Sequence, residues 1–168
     1  MLKTTILSLA IFISLSVQGQ IQNSYHFTNS LDTLGRTQWV SYRLTSQMVE
    51  DTVRYRRSGF WGTPQYEYRN SGYDRGHMAN HSAFDFDERV HETFNFANIV
   101  PQTRFINRTV IRYLEEYERK LTSKYGCLYF VIRAMYEGTD SSIPDYFIRE
   151  VYTCDANLVT SFKIENIP

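Results

Sequence analysis

Surplus positive charge is the first thing this 168-residue chain lacks, since eighteen Lys and Arg stand against eighteen Asp and Glu. A uniformly basic nucleic-acid binder is thereby excluded, and any polyanion has to be held by local arginines. Cysteine is scarce as well, Cys127 and Cys154 being the whole complement. No second Cys or His pair lies at zinc-site spacing, so these two do not build a structural zinc centre. They can form one bridge or stay as thiols. Long apolar runs are missing too: Ile6 to Val17 is interrupted by serines and short for a membrane span, and no Leu-x-x-Cys lipidation site occurs. No repeat, low-complexity tract or second domain is visible.

What is present begins with an address. Met1-Leu2-Lys3 supplies a short basic start, the run to Val17 an apolar middle, and Val17-Gln18-Gly19 the small residue of a cleavage site. Residues 1–19 read as a secretory signal peptide and 20–168 as one domain, destined for secretion or the periplasm with no stable membrane association after cleavage. Cleavage removes one Lys and no acid, leaving a net charge of −1. In an oxidising compartment a Cys127–Cys154 bridge would be worth roughly 3–4 kcal/mol in the chain-entropy description.

Along the chain, Ile21 to Asn29 reads as an extended segment. Trp39 to Leu44 alternates, with Val40, Tyr42 and Leu44 on one face of a strand. Gly59 to Tyr68 has no period and reads as a loop that could carry aromatics and arginines to a cleft. From Asn80 to Glu92 the text is polar, anchored by Phe84 and Phe86, with His81 and His91 read as surface residues. Phe94 to Ile99 reads as a short strand containing Asn98, and Pro101-Gln102-Thr103 as a turn. A helical period runs from Phe105 to about Ser123, with Gly126 just past its end. Cys127 to Ile132 is a central strand by its unbroken apolar run, and Tyr146 to Tyr152 and Leu158 to Ile164 are two more. The expected fold class is α+β, a mainly antiparallel sheet with one long helix.

Chemistry concentrates in Gly72 to Asn80. In a strand Arg75 and His77 share one face and Asp74 takes the other, while Gly76 leaves the backbone open to close approach. A permanent guanidinium beside a titratable imidazole suits a phosphodiester. Further arginines able to help are Arg54, Arg56, Arg57 and Arg69 before the motif and Arg104, Arg108 and Arg112 after it. On the long helix Asn107, Ile111, Glu115 and Arg119 recur every four residues, a mostly polar stripe that core packing does not require. If that helix packs beside the strand of His77, Asn107 offers a hard neutral oxygen suited to Mg²⁺ when waters and substrate phosphates complete the shell.

These residues carry a resemblance. Asp74-Arg75-Gly76-His77, then Asn98 in Ala-Asn-Ile-Val-Pro-Gln, then Phe105-Ile106-Asn107-Arg108, then Leu114-Glu115 resemble the successive motifs of the DNA/RNA non-specific endonucleases. That family has the ββα-metal (His-Me finger) fold and includes secreted bacterial nucleases and the mitochondrial endonuclease G type. The resemblance implies DNA and RNA as substrates and Mg²⁺ as cofactor, with Mn²⁺ as a substitute. It implies His77 as general base, Asn107 as the direct metal ligand and Arg75 as stabiliser of phosphate charge. Asn98 would hold the base and nearby backbone, Glu115 would fix metal-bound water, Arg119 would be a second phosphate-side arginine, and Asp74 would orient neighbours.

The chain also departs from the family pattern. Arg133-Ala134 stands where the family usually has Gly-Pro after its central strand, and the text ends at Ile164 to Pro168 where relatives commonly continue. Two other functions fit the same residues. One is a secreted nucleic-acid binder without catalysis, which would have no turnover for a His77→Ala change to remove. The other is an antibacterial toxin, which would need a delivery domain that is not visible.

Overall fold

Three strands open the fold, Gln20–Asn23 (β1), Phe27–Leu31 (β2) and Thr37–Thr45 (β3), followed by one short helix, Ser46–Glu50 (α1). A separate ribbon, Tyr73–His77 (β4) with Ile99–Thr103 (β5), leads to the helix Arg112–Tyr125 (α2). Cys127–Met135 (β6), Tyr146–Thr153 (β7) and Leu158–Glu165 (β8) complete it. The computed structural model describes residues 20–51, 53, 55, 56, 58–138 and 141–167. The expected leader, 1–19, and Arg54 and Arg57 lie outside those residues.

Six strands form one antiparallel sheet in the order β1-β2-β3-β6-β7-β8. The alternation in β3 does what its pattern implies, with Val40, Tyr42 and Leu44 all buried. β6 is central, bonded to β3 on one side and β7 on the other, and it buries Leu128, Phe130, Ile132 and Ala134. Arg133 and Ala134 both keep the ladder, opposite Ile148 and Phe147, so β6 runs on through Met135. Cys127 and Cys154 are disulfide-bonded, with Cα atoms 5.7 Å apart, which resolves the open choice in favour of the bridge. Among the described residues no helix is long and apolar enough to cross a membrane.

The ribbon differs from the sequence expectation in an instructive way. Between β4 and β5 lie three short 3₁₀ segments, His81–Ala83, Glu88–Phe94 and Phe96–Asn98. Asn80, Asp87 and Asn95 precede them, and each side-chain oxygen accepts from the backbone N–H two residues on. Those local caps compete with strand pairing, so Phe94 to Asn98 coils instead of extending. Pro101-Gln102-Thr103 is strand, not turn, with Pro101 opposite Arg75. Its missing N–H costs nothing there, because Pro101 O and Thr103 N face away from β4 and meet the Asn166 side chain. The buried Asn166 amide bonds Pro101 O, Thr103 N and Pro144 O at 3.0, 2.9 and 2.8 Å, fastening the ribbon to the sheet.

The long helix is also not uniform. Ile106–Ile111 is a π-helical turn and only Arg112–Tyr125 is α-helical. Ile106 and Ile111 are both buried, and a five-residue repeat brings them to one side, which an α-helix would not do. Helix α2 ends at Gly126, whose φ of 78° suits glycine and whose N–H caps Thr122 O at 2.8 Å. Glu118 on α2 is buried against Arg149 of β7, Nε to Oε1 at 2.9 Å and Nη2 to Oε2 at 2.8 Å. Burial pushes the Glu118 carboxyl up and Arg149 opposes that push. Tyr42 stacks on Phe130 beside this pair, so helix and sheet are joined through one desolvated charge pair.

Arg149→Ala should leave Glu118 buried without its counter-charge and cost about 3–5 kcal/mol, a Tm loss of roughly 6–20 °C for a domain of this size. Calorimetry reads it directly. Glu118→Leu with Arg149→Met should recover most of the loss, whereas a single variant melting within two or three degrees of the parent would mean the pair contributes little.

Candidate active site

Strand β4 carries its side chains on two faces, and each face meets a different partner. Arg75 lies with its guanidinium over the rings of Phe60 and Tyr68, at 5.2 and 5.5 Å from their centroids. His77, two residues on and so roughly 7 Å along the strand, packs against Phe60 at 5.8 Å and edge-on to Phe94 at 4.9 Å. Arg75 and His77 therefore share the Phe60 ring, as period-2 geometry requires. The loop that supplies this ring is held by backbone bonds, Trp61 N to Phe94 O at 3.1 Å and Phe96 N to Trp61 O at 2.9 Å. Its aromatics support one another, Phe60 stacking on Phe96 at 5.6 Å and Tyr66 meeting both Tyr68 and Tyr73. The expectation for this segment holds for its aromatics, Phe60 and Tyr68, while the arginines at the cleft, Arg69, Arg75 and Arg108, come from outside Gly59 to Tyr68.

On the other face Asp74 is gripped. Arg108 donates from Nε to Oδ2 at 2.7 Å and from Nη2 to Oδ1 at 2.8 Å, and Asn107 donates from Nδ2 to Oδ2 at 3.1 Å. The Arg108 hydrogen bonds, helped by Asn107 and by the charges of Arg108 and Arg104, hold the Asp74 carboxyl below its ordinary range. A carboxylate accepts only from the NH₂ side of an amide, so Asp74 decides which way Asn107 is turned. Its Oδ1 is directed away from Asp74. Asp74, Arg75, Asn107 and Arg108 then line a single open pocket of about 550 Å³, together with Phe60, Tyr68, Arg69 and Tyr73.

This donor set limits the kind of ion that could be held. Among the described residues no three His, Cys, Asp or Glu gather to form a cage, and both oxygens of Asp74 are spent on Arg108. The chain offers one neutral carboxamide oxygen in a pocket open to solvent. That is too little to build a zinc site, and it suits a hard divalent cation that keeps several waters and takes substrate phosphate oxygens.

Asn98 acts at one remove. Fully buried, it accepts from Ala79 N at 2.8 Å and donates to Ala79 O and Thr93 O at 2.9 Å each. Its own carbonyl accepts from Met78 N, so the two residues after His77 are fastened to it. Gly76 is needed beside it for space, since a Cβ there would run into the buried Gln102 side chain on β5. The close approach implied by the sequence is that of Gln102.

His77 adjoins this pocket through Phe60 and is not itself among the residues that line it, and other candidates lie elsewhere. Glu115 bears electrostatically on buried Tyr42 and Arg149 and does not line the pocket. Arg119 donates to Ser82 O at 2.8 Å and Val49 O at 2.9 Å, joining α2 to α1 and to the first 3₁₀ turn. Asn107 lies on the π turn and Glu115 and Arg119 on the α-helix that continues it. His91 is exposed as expected, but His81 is not a surface residue: it is largely covered, near Asp85 at 3.4 Å and edge-on to Phe94. Sequence reasoning counted Arg108 among the nearby arginines and missed its grip on Asp74. Thirty-four residues separate the two, and no local spacing signals the pairing.

The sequence profile of the family described as DNA/RNA non-specific endonuclease matches residues 10–167. Nuclease 1, mitochondrial, of Schizosaccharomyces pombe is 40% identical over 72 residues, covering 42% of this chain and 22% of that protein. Human endonuclease G, mitochondrial, is 36% identical over 64 residues, 38% of this chain and 22% of its own length. A nuclease of a Nostoc species is 31% identical over 120 residues, 66% of this chain and 43% of that protein. The chain thus spans less than half the length of each of these curated relatives.

Asn98→Asp places a carboxylate against two carbonyl oxygens in a buried site and should destabilise the fold by about 2–6 kcal/mol, at 1–3 kcal/mol for each of the two buried groups left unsatisfied. Denaturant unfolding measures this. A loss under about 1 kcal/mol would show that the Ala79 backbone does not depend on the amide.

Proposed function

Since the chain belongs to the DNA/RNA non-specific endonuclease family, we propose that it hydrolyses phosphodiester bonds of DNA and RNA with little sequence preference, using Mg²⁺ held by Asn107, with Mn²⁺ as a substitute. The observation that carries this reading is the shared pocket in which the Asp74-oriented Asn107 amide stands beside Arg75.

Arg75 makes no ion pair among the described residues and rests on aromatic faces, so its N–H groups are available to a phosphate. The fork of donors matches two phosphate oxygens and retains its charge at any working pH. Arg69, also at the pocket, adds positive potential. When bound at Asn107, Mg²⁺ supplies Lewis-acid stabilisation of the charge that builds on the phosphate. His77 takes a proton from the attacking water in its neutral form, a role for which an imidazole is suited near pH 7. The walls of Phe60 and Phe94 keep the ring oriented. Asn98 is a positioning residue through Ala79 and Met78, and Asp74 positions Asn107 while Arg108 neutralises it. Recognition through phosphates carries no base information, which accounts for low sequence preference and entails weaker binding as salt rises.

Cleavage of plasmid DNA and of RNA should stop in excess chelator and return on adding Mg²⁺. His77→Ala should lower kcat by about 10²–10⁴-fold while retaining DNA affinity, and the parent enzyme should lose rate on the acid side of the range in which imidazole titrates, about pH 5 to 8. Cleavage that persists in chelator, or a His77→Ala protein with full turnover, would remove the mechanism.

Export to the periplasm or the medium is the proposed destination, supported by the leader-like text of residues 1–19 and by the Cys127–Cys154 bridge, which an oxidising compartment preserves. Amino-terminal sequencing of the protein made by its own cell should begin near Gln20. An intact Met1 in a soluble cytosolic fraction would contradict it.

A further inference from the structure

Tyr73 borders two hollows. Besides the phosphate pocket it lines a second recess of about 450 Å³, shared with Ser71, Gly72, Thr103, Arg104 and Phe105. The volume lies in the lower part of the range in which small planar ligands are held. Tyr73 is braced by Tyr66, whose ring stands edge-on at 5.9 Å. Phe105 is 62% exposed, whereas the next residue, Ile106, is buried. A solitary exposed phenylalanine is ordinary. This one is distinguished by its place, lining a recess that shares Tyr73 with the cationic pocket.

Charge follows the same line. Arg104, Arg108 and Arg112 are all exposed and stand four residues apart from Arg104 onward. Arg104 lines the second recess and Arg69, Arg75 and Arg108 line the first, so positive charge borders both. A strand whose phosphate is held by Arg75 must place a neighbouring base next to that pocket, and the adjacent space is walled by aromatic rings. Every base offers a π face to such a wall, whatever its identity. A base already paired and stacked in a duplex cannot enter without first being drawn out.

We propose that the recess between Tyr73 and Phe105 is a nucleobase subsite, which receives an unpaired base of the strand held at Arg75 and gives the protein a preference for single-stranded or locally melted nucleic acid. The inference rests on the nuclease reading for the strand's presence at Arg75, and adds a structural selectivity that phosphate contacts alone do not supply.

The test is binding, read separately from cleavage. A His77→Ala protein is titrated, by fluorescence anisotropy, with a twelve-residue thymidine strand, with an abasic strand of the same length and with a matched duplex. Phe105→Ala added to it should weaken binding of the thymidine strand by roughly 5- to 100-fold and leave the abasic strand's affinity where it was. Phe105→Trp should retain the affinity, and thermal melting should confirm that removing this exposed ring leaves the fold intact. Equal weakening on both single strands, no weakening on either, or a duplex bound more tightly than the thymidine strand would overturn the subsite. Failure of the nuclease reading is distinguishable, because it appears as absent cleavage by the parent protein whatever the binding cycle shows.

Discussion

Two buried carboxamides hold the ribbon on which the candidate site is built. Asn98 exchanges both of its polar ends with Ala79 and takes a third bond to Thr93, while Asn166 closes on Pro101, Thr103 and Pro144. A two-stranded ribbon has little stability of its own, and β4 and β5 pair only with each other. Asn166 ties β5 to the segments beside β7 and β8, while Asn98 closes the connection between β4 and β5, which Asn29 of β2 and Thr37 of β3 hold to the six-stranded sheet through Ala97 O. Buried amides of this kind are demanding, since each unmade bond leaves a desolvated group, and that demand is also what makes the geometry definite.

Three arginines in this small domain show how surroundings set the work of one side chain. Arg149 is buried against Glu118 and serves the join of helix to sheet. Arg108 is largely exposed and spends two donors on Asp74, thereby fixing an amide it also touches through that carboxylate. Arg75 rests on aromatic faces and makes no ion pair among the described residues. A neutral overall charge is compatible with polyanion binding because charge is concentrated where the pocket lies, so attraction is local and salt-sensitive.

Much of this was legible in the sequence. The alternation of Val40, Tyr42 and Leu44, the apolar run from Cys127 and the glycine at 126 are local signals, and local signals survive reading without coordinates. The segment from Phe94 to Thr103 was misread for a physical reason: Asx caps at Asn80, Asp87 and Asn95 coil what apolar content would extend, and Pro101 is tolerated in a strand because a distant Asn166 sits on its unpaired edge. The π turn at Ile106–Ile111 was not legible either, since it goes with the burial of both isoleucines, which a count of residues does not reveal.

The sequence by itself determined the family, the strand pattern and the residue types that meet at the pocket, because motif order and hydrophobic period are properties of the linear text. Only the tertiary structure decided which way Asn107 is turned, that Arg119 serves α1 and a 3₁₀ turn, and that Phe60 is shared by Arg75 and His77. Those outcomes depend on partners tens of residues away, and the direction of a side chain is set by whatever the fold places opposite it.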